Sequence, residues 1–166
     1  CFVPENKRLG NEGDGLRLAM STLDVFRSSV GAAAIGMAER AFDEAITYAK
    51  RRKQFGKSLG EFQGVQFKIA EMAQSLAASK HLVWHAASRK DSGARTNLEA
   101  AIAKSFATES AQQIIDQSLQ IHGGLGLLKG SIIERLYRDI RALRIYEGAT
   151  EILKTIIAAH YLKEDV

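Results

Sequence analysis

The stretch GAAAIGMAERAFDEAITYA, residues 31–49, decides the fold of this chain. Its apolar side chains recur every three or four positions, which is the period of one helix face. They are Ala34, Ile35, Ala38, Phe42, Ala45, Ile46 and Ala49. The same spacing extends back to Leu16, and the only proline of the chain, Pro4, precedes it. The sequence therefore predicts a single helix of about nine turns or more.

Two further long helices are predicted after the first. The apolar pattern resumes at Phe62 and continues to near Asp91, and Ser58 is a candidate N-cap in the break before it. Thr96 and Glu99 have the spacing of a capping box, which predicts the start of the third helix. A Gly-Gly-Leu-Gly cluster ends that helix.

Shorter elements complete the chain. We expect a short helix at 131–136, a loop at 138–147, and a last helix that starts at Ala149 or Thr150 and runs to the C-terminus. The pattern predicts an all-α fold, an antiparallel bundle of four main helices.

The length of 166 residues suits one domain with one core. Residues 1–12 are polar and contain turn-forming residues, so we expect an extended lead-in there and the helical domain over 13–166.

Composition excludes several classes of protein. No apolar run approaches the about 18 residues of a membrane-spanning helix. The 23 basic residues are offset by 19 acidic ones interspersed with them, which disfavours nucleic acid as a partner. Cys1 is the only cysteine, and His81 and His85 lack an evident third ligand, so no metal site is predicted.

Three segments are candidates for chemistry. The basic run at 50–56, KRRKQFG, suits the binding of a phosphate, although a cationic helix end that complements the helix dipole is the favoured explanation of the run taken alone. The loop at 120–126, QIHGGLG, brings backbone close to a planar or phosphorylated ligand, or simply ends a helix. The segment 146–151, YEGATE, places a carboxylate just before a helix N-terminus, where a capping role is the alternative.

Taken together, these segments resemble the C-terminal domain of the acyl-CoA dehydrogenase family, over essentially the whole chain. The motifs that carry the resemblance keep the family's order and spacing. They are Leu23–Arg27, Arg52–Lys57, Phe62-Gln63, Gln120–Gly124, Tyr137–Asp139 and Ile145–Gly148. The opening VPEN at 3–6 also resembles the family's passage from its middle β-domain.

The resemblance implies a catalytic role for Glu147. This residue matches the family's base, which removes the α-proton of an acyl-CoA while a β-hydrogen leaves as hydride to FAD. Some members place their base just before the arginine matched by Arg27, but Phe26 stands there and cannot accept a proton. Asp24, Arg27, Tyr146 and Gly148 are implied to border the substrate.

The resemblance also implies a set of FAD contacts. Arg52 matches the arginine that binds the pyrophosphate, and Gln120–Gly124 match the loop that holds the adenosine half. The full implied set is Arg52, Gln54, Phe55, Phe62, Gln63, Gln120, Ile121, His122, Gly123, Gly124, Ala149, Thr150 and Glu151. In the family much of this set serves the flavin of a neighbouring subunit.

The family's other properties follow as expectations: a homo-oligomer, usually a tetramer; a role in fatty acid metabolism; and electron-transfer flavoprotein as electron acceptor. The compartment is bacterial cytoplasm or mitochondrial matrix, and the domain alone is expected to be inactive.

Two departures from the family pattern affect only the flavin surroundings. Ala149-Thr150 replaces the usual threonine and serine, and 127–133 lack the usual tyrosine and proline. The alternative hypothesis is a non-catalytic helical fragment or assembly module that needs missing domains or a partner chain. It predicts no affinity for flavin and indifference to loss of Glu147.

Overall fold

The computed structural model describes residues 1–163, so residues 164–166 of the predicted helical domain lie outside the described part. The described residues form five α-helices and one small hairpin. In order they are α1 (Gly15–Arg51), β1 (Lys53–Gln54), β2 (Lys57–Ser58), α2 (Gln63–Asp91), α3 (Asn97–His122), α4 (Ile132–Leu143) and α5 (Thr150–Tyr161). Single 3-10 turns occur at Glu5–Lys7, Leu59–Glu61 and Gly123–Leu127. The predicted all-α bundle is confirmed.

Helix α3 lies at the centre of the bundle and packs against α1, α2, α4 and α5. The ion pairs Lys80–Glu39 and Arg89–Glu99 show that α2 runs antiparallel to both α1 and α3. The hydroxyl of Ser118 donates to the carbonyl of Ala41 at 2.7 Å and ties α3 to α1.

Alanines make the contact between α1 and α3 close. Ala34, Ala38, Ala41 and Ala45 of α1 are at most 1% exposed, as are Ala103, Ala107 and Ala111 of α3. Small side chains let two helix backbones approach, and larger residues of α2, α4 and the second half of α3 fill most of the rest of the core. The long periodic alanine pattern thus produces the main helix pair.

Five local predictions need correction. Helix α4 continues to Leu143, so the loop expected at 138–147 is wrong over its first half. Its buried residues Ile133, Leu136, Ile140 and Leu143 have helical spacing that the charged residues between them obscure. The last helix ends at Tyr161, and the lead-in contains a 3-10 turn.

The remaining two corrections concern helix starts. No capping box forms at α3, since the Thr96 hydroxyl makes no cap hydrogen bond and Glu99 pairs instead with Arg89 of α2 at 2.9 Å. Ser58 caps the 3-10 turn before α2 rather than α2 itself, and its N–H donates to the Glu61 carboxylate at 2.7 Å.

Within residues 1–163, no helix combines the length and the apolarity that crossing a bilayer requires.

Candidate active site

The turn between α4 and α5, residues 144–149, has an unusual backbone and is called the α4–α5 turn below. Glu147 adopts φ +56° and Gly148 adopts φ +100°. The left-handed region is unfavourable for a residue with a Cβ, so the position of Glu147 requires support from its surroundings. A Cβ at Gly148 would lie 3.1 Å from Leu153 Cδ2, so this glycine is needed for space as well as for conformation.

A buried lysine supplies part of that support. Lys104 of α3 is 0% exposed, and its Nζ donates to the carbonyl of Gly148 at 2.7 Å. The pKa of Lys104 is lowered to about 8, chiefly by burial and in smaller part by the nearby Arg27, while the carboxylates of Glu109 and Glu147 oppose the shift. The ammonium form therefore predominates at neutral pH.

Arg27 of α1 approaches the same turn from the other side. Its side chain is 4% exposed, and its Nη1 donates to Asp24 Oδ1 at 3.1 Å. Asn97 Nδ2 donates to the same oxygen at 3.0 Å, which links the start of α3 to α1. The Nε of Arg27 lies 3.9 Å from where a Cβ on Gly148 would stand. Asp24, Arg27 and Gly148, which the resemblance implies to border the substrate, thus lie close together, and their contact with a substrate stays a prediction.

The carboxylate of Glu147 has an oxygen without a partner. Its Oε2 is buried and accepts no hydrogen bond from the described residues. A buried acceptor left unsatisfied is costly, which makes it a mark of a group kept for a ligand or a proton. The neighbouring Tyr146 is half exposed, and burial, with the charge of Glu147, raises the pKa of its phenol.

A second carboxylate from α3 holds the ends of the turn. Glu109 Oε1 accepts hydrogen bonds from the Thr150 hydroxyl at 2.6 Å and from Arg144 Nε at 2.9 Å. Burial would raise the pKa of Glu109, but these bonds and the charge of Arg144 lower it overall. The Thr150 side chain, predicted to contact a cofactor, is thus committed within the chain, while Ala149 is half-buried and Glu151 is exposed.

The predicted cofactor residues around the hairpin form a separate group. Phe55 is 92% exposed with φ +52°, and Gly56 follows with φ +82°, so the two make the tip of a two-residue turn. Phe62 lies edge-to-face with Phe55, with ring centroids 6.4 Å apart. The side chains of Arg52, Gln54 and Gln63 are exposed beside them.

The glycine loop after α3 lies near this hairpin group, because His122 stacks on Tyr48 close to the end of α1. Their ring centroids are 4.4 Å apart, and His122 Nδ1 lies 2.7 Å from the carbonyl oxygen of Ser118. Added Cβ atoms at Gly123 and Gly124 would meet nothing within 4 Å, so this backbone is open to a ligand. Gln120 is exposed, whereas Ile121 is buried in the core and presents no side chain to the surface.

The two groups stand at different places along α1, one beside Arg27 in its first half and the other at its C-terminal end. Arg27 and Arg52 are separated by about 25 helical residues, which corresponds to about 37 Å. One chain therefore does not combine the Glu147 group and the hairpin group into a single site.

Sequence reasoning missed Lys104, Glu109 and Asn97. The signal for Lys104 was present, because a lysine interrupts the alanine face formed by Ala100, Ala103, Ala107 and Ala111. A charge in the core stripe of a helix is either paired or functional.

An all-α bundle with a buried carboxylate at one end and an open glycine loop at the other defines the class of protein. A family model described as the C-terminal domain of acyl-CoA dehydrogenase matches residues 13–162. The chain belongs to the acyl-CoA dehydrogenase family and corresponds to its C-terminal domain.

Individual relatives agree with this assignment. A 3-(aryl)acrylate reductase of Clostridium sporogenes is 50% identical over 97% of this chain and 43% of its own length. The bovine mitochondrial short-chain specific acyl-CoA dehydrogenase is 44% identical over 97% of this chain and 39% of its own length. The structure of butyryl-CoA dehydrogenase from Megasphaera elsdenii superposes with a TM-score of 0.95 at 39% identity, over 97% of this chain and 42% of that one. The chain thus spans about two fifths of the length of these relatives.

Proposed function

We propose that the protein containing this chain is a flavin-dependent acyl-CoA dehydrogenase in which Glu147 is the base that removes the α-proton of an acyl-CoA thioester. The observation that carries this proposal is the buried, unpartnered Oε2 of Glu147 in a turn that Lys104 anchors and that Arg27 approaches.

The chemistry demands such a carboxylate. The α-proton of a thioester is too weakly acidic for water to remove, so the base must contact it in a site that excludes solvent. Glu147 has a free acceptor oxygen away from water, and the resemblance gives its backbone N–H the role of polarising the thioester carbonyl. FAD, when bound, supplies the acceptor for the hydride that leaves the β-carbon.

The residues of the hairpin group fit the cofactor. The Arg52 guanidinium is suited to a pyrophosphate, and the open backbone of Gly123 and Gly124 admits a flat or phosphorylated group. Because Arg52 lies about 37 Å from Arg27 along α1, we assign the hairpin group to the FAD of a second subunit. The active protein is then a homo-oligomer, and the family pattern favours a tetramer.

The names of several relatives bear on the direction in which the reaction runs. The 3-(aryl)acrylate reductase at 50% identity and an acryloyl-CoA reductase (NADH) of Anaerotignum propionicum at 45% identity are both reductases. Since a reversible step uses the same groups in both directions, a protonated Glu147 returns the α-proton when the double bond is reduced. Reduction of an enoyl thioester is therefore the second candidate activity.

We assign electron-transfer flavoprotein as the redox partner. A relative from Acetobacterium woodii, 46% identical over 98% of this chain, is the CarC subunit of a caffeyl-CoA reductase–Etf complex. A further structural match, at TM-score 0.96, comes from a study of the electron transferring flavoprotein of Acidaminococcus fermentans.

The test compares Glu147→Gln with the unmodified full-length protein. We expect turnover to fall by about 10²–10⁴-fold in both directions, while FAD stays bound, because the amide keeps the shape of glutamate and loses its basicity. Glu134→Gln, on the distant start of α4, is the matched control and should leave turnover unchanged. Unaltered turnover in Glu147→Gln would assign the base elsewhere, and absence of flavin from the unmodified protein would favour the non-catalytic module.

Mixed oligomers test the shared site. An Arg52→Met subunit keeps Glu147, and a Glu147→Gln subunit keeps Arg52, so a mixed oligomer contains sites with both groups intact. We expect co-expression of the two inactive variants to restore part of the activity. If no activity returns, both groups belong to one subunit's site.

A further inference from the structure

Among residues 1–163, Lys104 is the one fully buried charged side chain whose charge the proposed proton abstraction does not require. It is 0% exposed, on the central helix, among buried alanines. A well-packed apolar residue would fill this place without the cost of desolvating an ammonium. The described contact that uses its charge is the 2.7 Å hydrogen bond from Nζ to the carbonyl of Gly148.

That carbonyl is the point at which the turn has most freedom. Gly148 directly follows Glu147, and a glycine at φ +100° has no Cβ to restrict its backbone. A donor on its carbonyl fixes the following peptide plane. Because Glu147 itself is held at φ +56°, the direction of its carboxylate depends on how firmly this turn is fixed.

We infer that Lys104 is the positioning residue of the catalytic turn: its ammonium, anchored to the Gly148 carbonyl, holds the Glu147 carboxylate in the direction needed for proton abstraction. This inference rests on the proposed function of Glu147. Lys104 acts through the backbone and does not itself contact the substrate.

The charges around Lys104 agree with this role. Arg27 approaches from α1, Glu109 lies on α3 itself, and Glu147 lies in the turn, so two cations face two carboxylates. The cluster is balanced, which allows an ammonium to stay buried and strengthens its bond to a neutral carbonyl. The sequence separation of 44 residues between Lys104 and Gly148 makes this a tie between the core helix and the turn.

The experiment compares Lys104→Met and Lys104→Gln in the full-length protein. These side chains have similar length, but only glutamine donates a hydrogen bond. We expect kcat to fall about 100-fold in Lys104→Met, the effect of a displacement of about 1 Å in a reacting group, while KM and FAD content stay nearly unchanged. Lys104→Gln should recover part of kcat, since its amide can donate to the Gly148 carbonyl. Lys80→Met, which removes an interhelical lysine remote from the turn, is the control and should retain full activity.

Isotope effects distinguish positioning from general damage. If Glu147 is misdirected, proton abstraction becomes slower relative to hydride loss. The kinetic isotope effect with an α-deuterated acyl-CoA should therefore rise in Lys104→Met, while the effect with a β-deuterated acyl-CoA does not.

Each other outcome overturns the inference. A normal kcat in Lys104→Met, with Glu147→Gln inactive, removes Lys104 from this role and leaves the proposed function standing. Loss of FAD or of assembly in both Lys104 variants, without the change in isotope effect, assigns Lys104 to the structure alone. If the unmodified protein does not turn over acyl-CoA, or if Glu147→Gln remains active, the proposed function fails and this inference fails with it.

Discussion

Glu147 and Phe55 are the two residues other than glycine that adopt a positive φ in the described part of the chain. Glu147 lies in the α4–α5 turn, and Phe55 lies in the hairpin group. Glu147 is half-buried, and α3 supports its turn through hydrogen bonds of Lys104 and Glu109. Phe55 is 92% exposed at the tip of a hairpin, and its ring contacts Phe62 only at the edge. The same backbone strain is therefore supported from within at the Glu147 turn and presented outward at the hairpin that follows α1.

This difference teaches which parts of the site one chain can build alone. The direction of Glu147 is a property of the bundle, because buried residues of the same chain determine it. The hairpin group is an exposed surface, since nothing in the described chain covers Phe55, and the proposed function assigns it to the FAD of a second subunit. Substitutions at the turn should therefore change stability and chemistry together, whereas substitutions at the hairpin should change ligand retention alone.

The largest effect is expected for Gly148→Ala. The new Cβ would lie 3.1 Å from Leu153 Cδ2 in a backbone at φ +100°, so the turn must move. We expect a destabilisation of about 1–3 kcal/mol and a fall in kcat of about 100-fold. Unfolding of the 166-residue chain and turnover of the full-length protein measure the two effects.

Gly130→Ala is the matched control for that substitution. Gly130 has φ +94°, but a Cβ there meets nothing within 4 Å. It should lose some stability from the backbone alone and keep its kcat. If Gly148→Ala and Gly130→Ala lose turnover equally, the packing around the α4–α5 turn has no particular effect on kcat. The contrast drawn between this turn and the hairpin would then be wrong.

An intermediate effect is expected for Phe55→Asn. Asparagine tolerates the left-handed region better than phenylalanine, which offsets the about 0.5–1.5 kcal/mol of the lost contact with Phe62. Stability of the chain should change by less than about 1 kcal/mol, while FAD retention by the full-length protein falls about 10-fold, as loss of one aromatic contact implies.

Phe2→Asn serves as the control for Phe55→Asn, because Phe2 is similarly exposed, at 90%, in the lead-in. It should leave FAD retention unchanged. If Phe55→Asn destabilises the chain strongly but binds FAD normally, the hairpin is a structural element and not a contact surface.

The sequence predicted the long helices because their cores follow one periodic pattern. Residues from Ala34 to Ala49 repeat at helical spacing over many turns, so local errors average out. The predicted helix at 131–136 is shorter than α4, because the four buried apolar residues of α4 are separated by arginines and an aspartate that resemble a charged loop. The capping box at Thr96 was wrong because Glu99 has a stronger partner, Arg89, on another helix.

Motifs indicated the candidate site residues but not the contacts that hold them. The resemblance pointed to Glu147, whose role as base stays a prediction. Lys104 and Gly148 are 44 residues apart, and no local pattern reveals which carbonyl a lysine in a helix will meet. Nor did the motifs indicate that Ile121 is buried, since that depends on the angle at which α3 packs in the bundle.

The smallest effect concerns Glu109, whose bonds to Arg144 and Thr150 hold the ends of the turn. Those bonds lower the pKa of Glu109 in the folded chain, against the effect of burial, so its ionised form stabilises the fold. This contribution is fully present above the unfolded pKa of about 4.3 and is lost as the pH falls through the lower folded pKa. Near neutral pH, we expect the free energy of unfolding of the unmodified chain to exceed that of Glu109→Gln by less than about 1 kcal/mol, which corresponds to less than about 2–4 °C in Tm. The difference in stability should disappear in acid.

Arg144→Met should lose a similar amount of stability. The double variant should lose little more than either single variant, because the two residues share one interaction. A gap that persists unchanged at low pH would mean that Glu109 supports the turn by packing rather than by charge, which leaves Lys104 as its only electrostatic anchor.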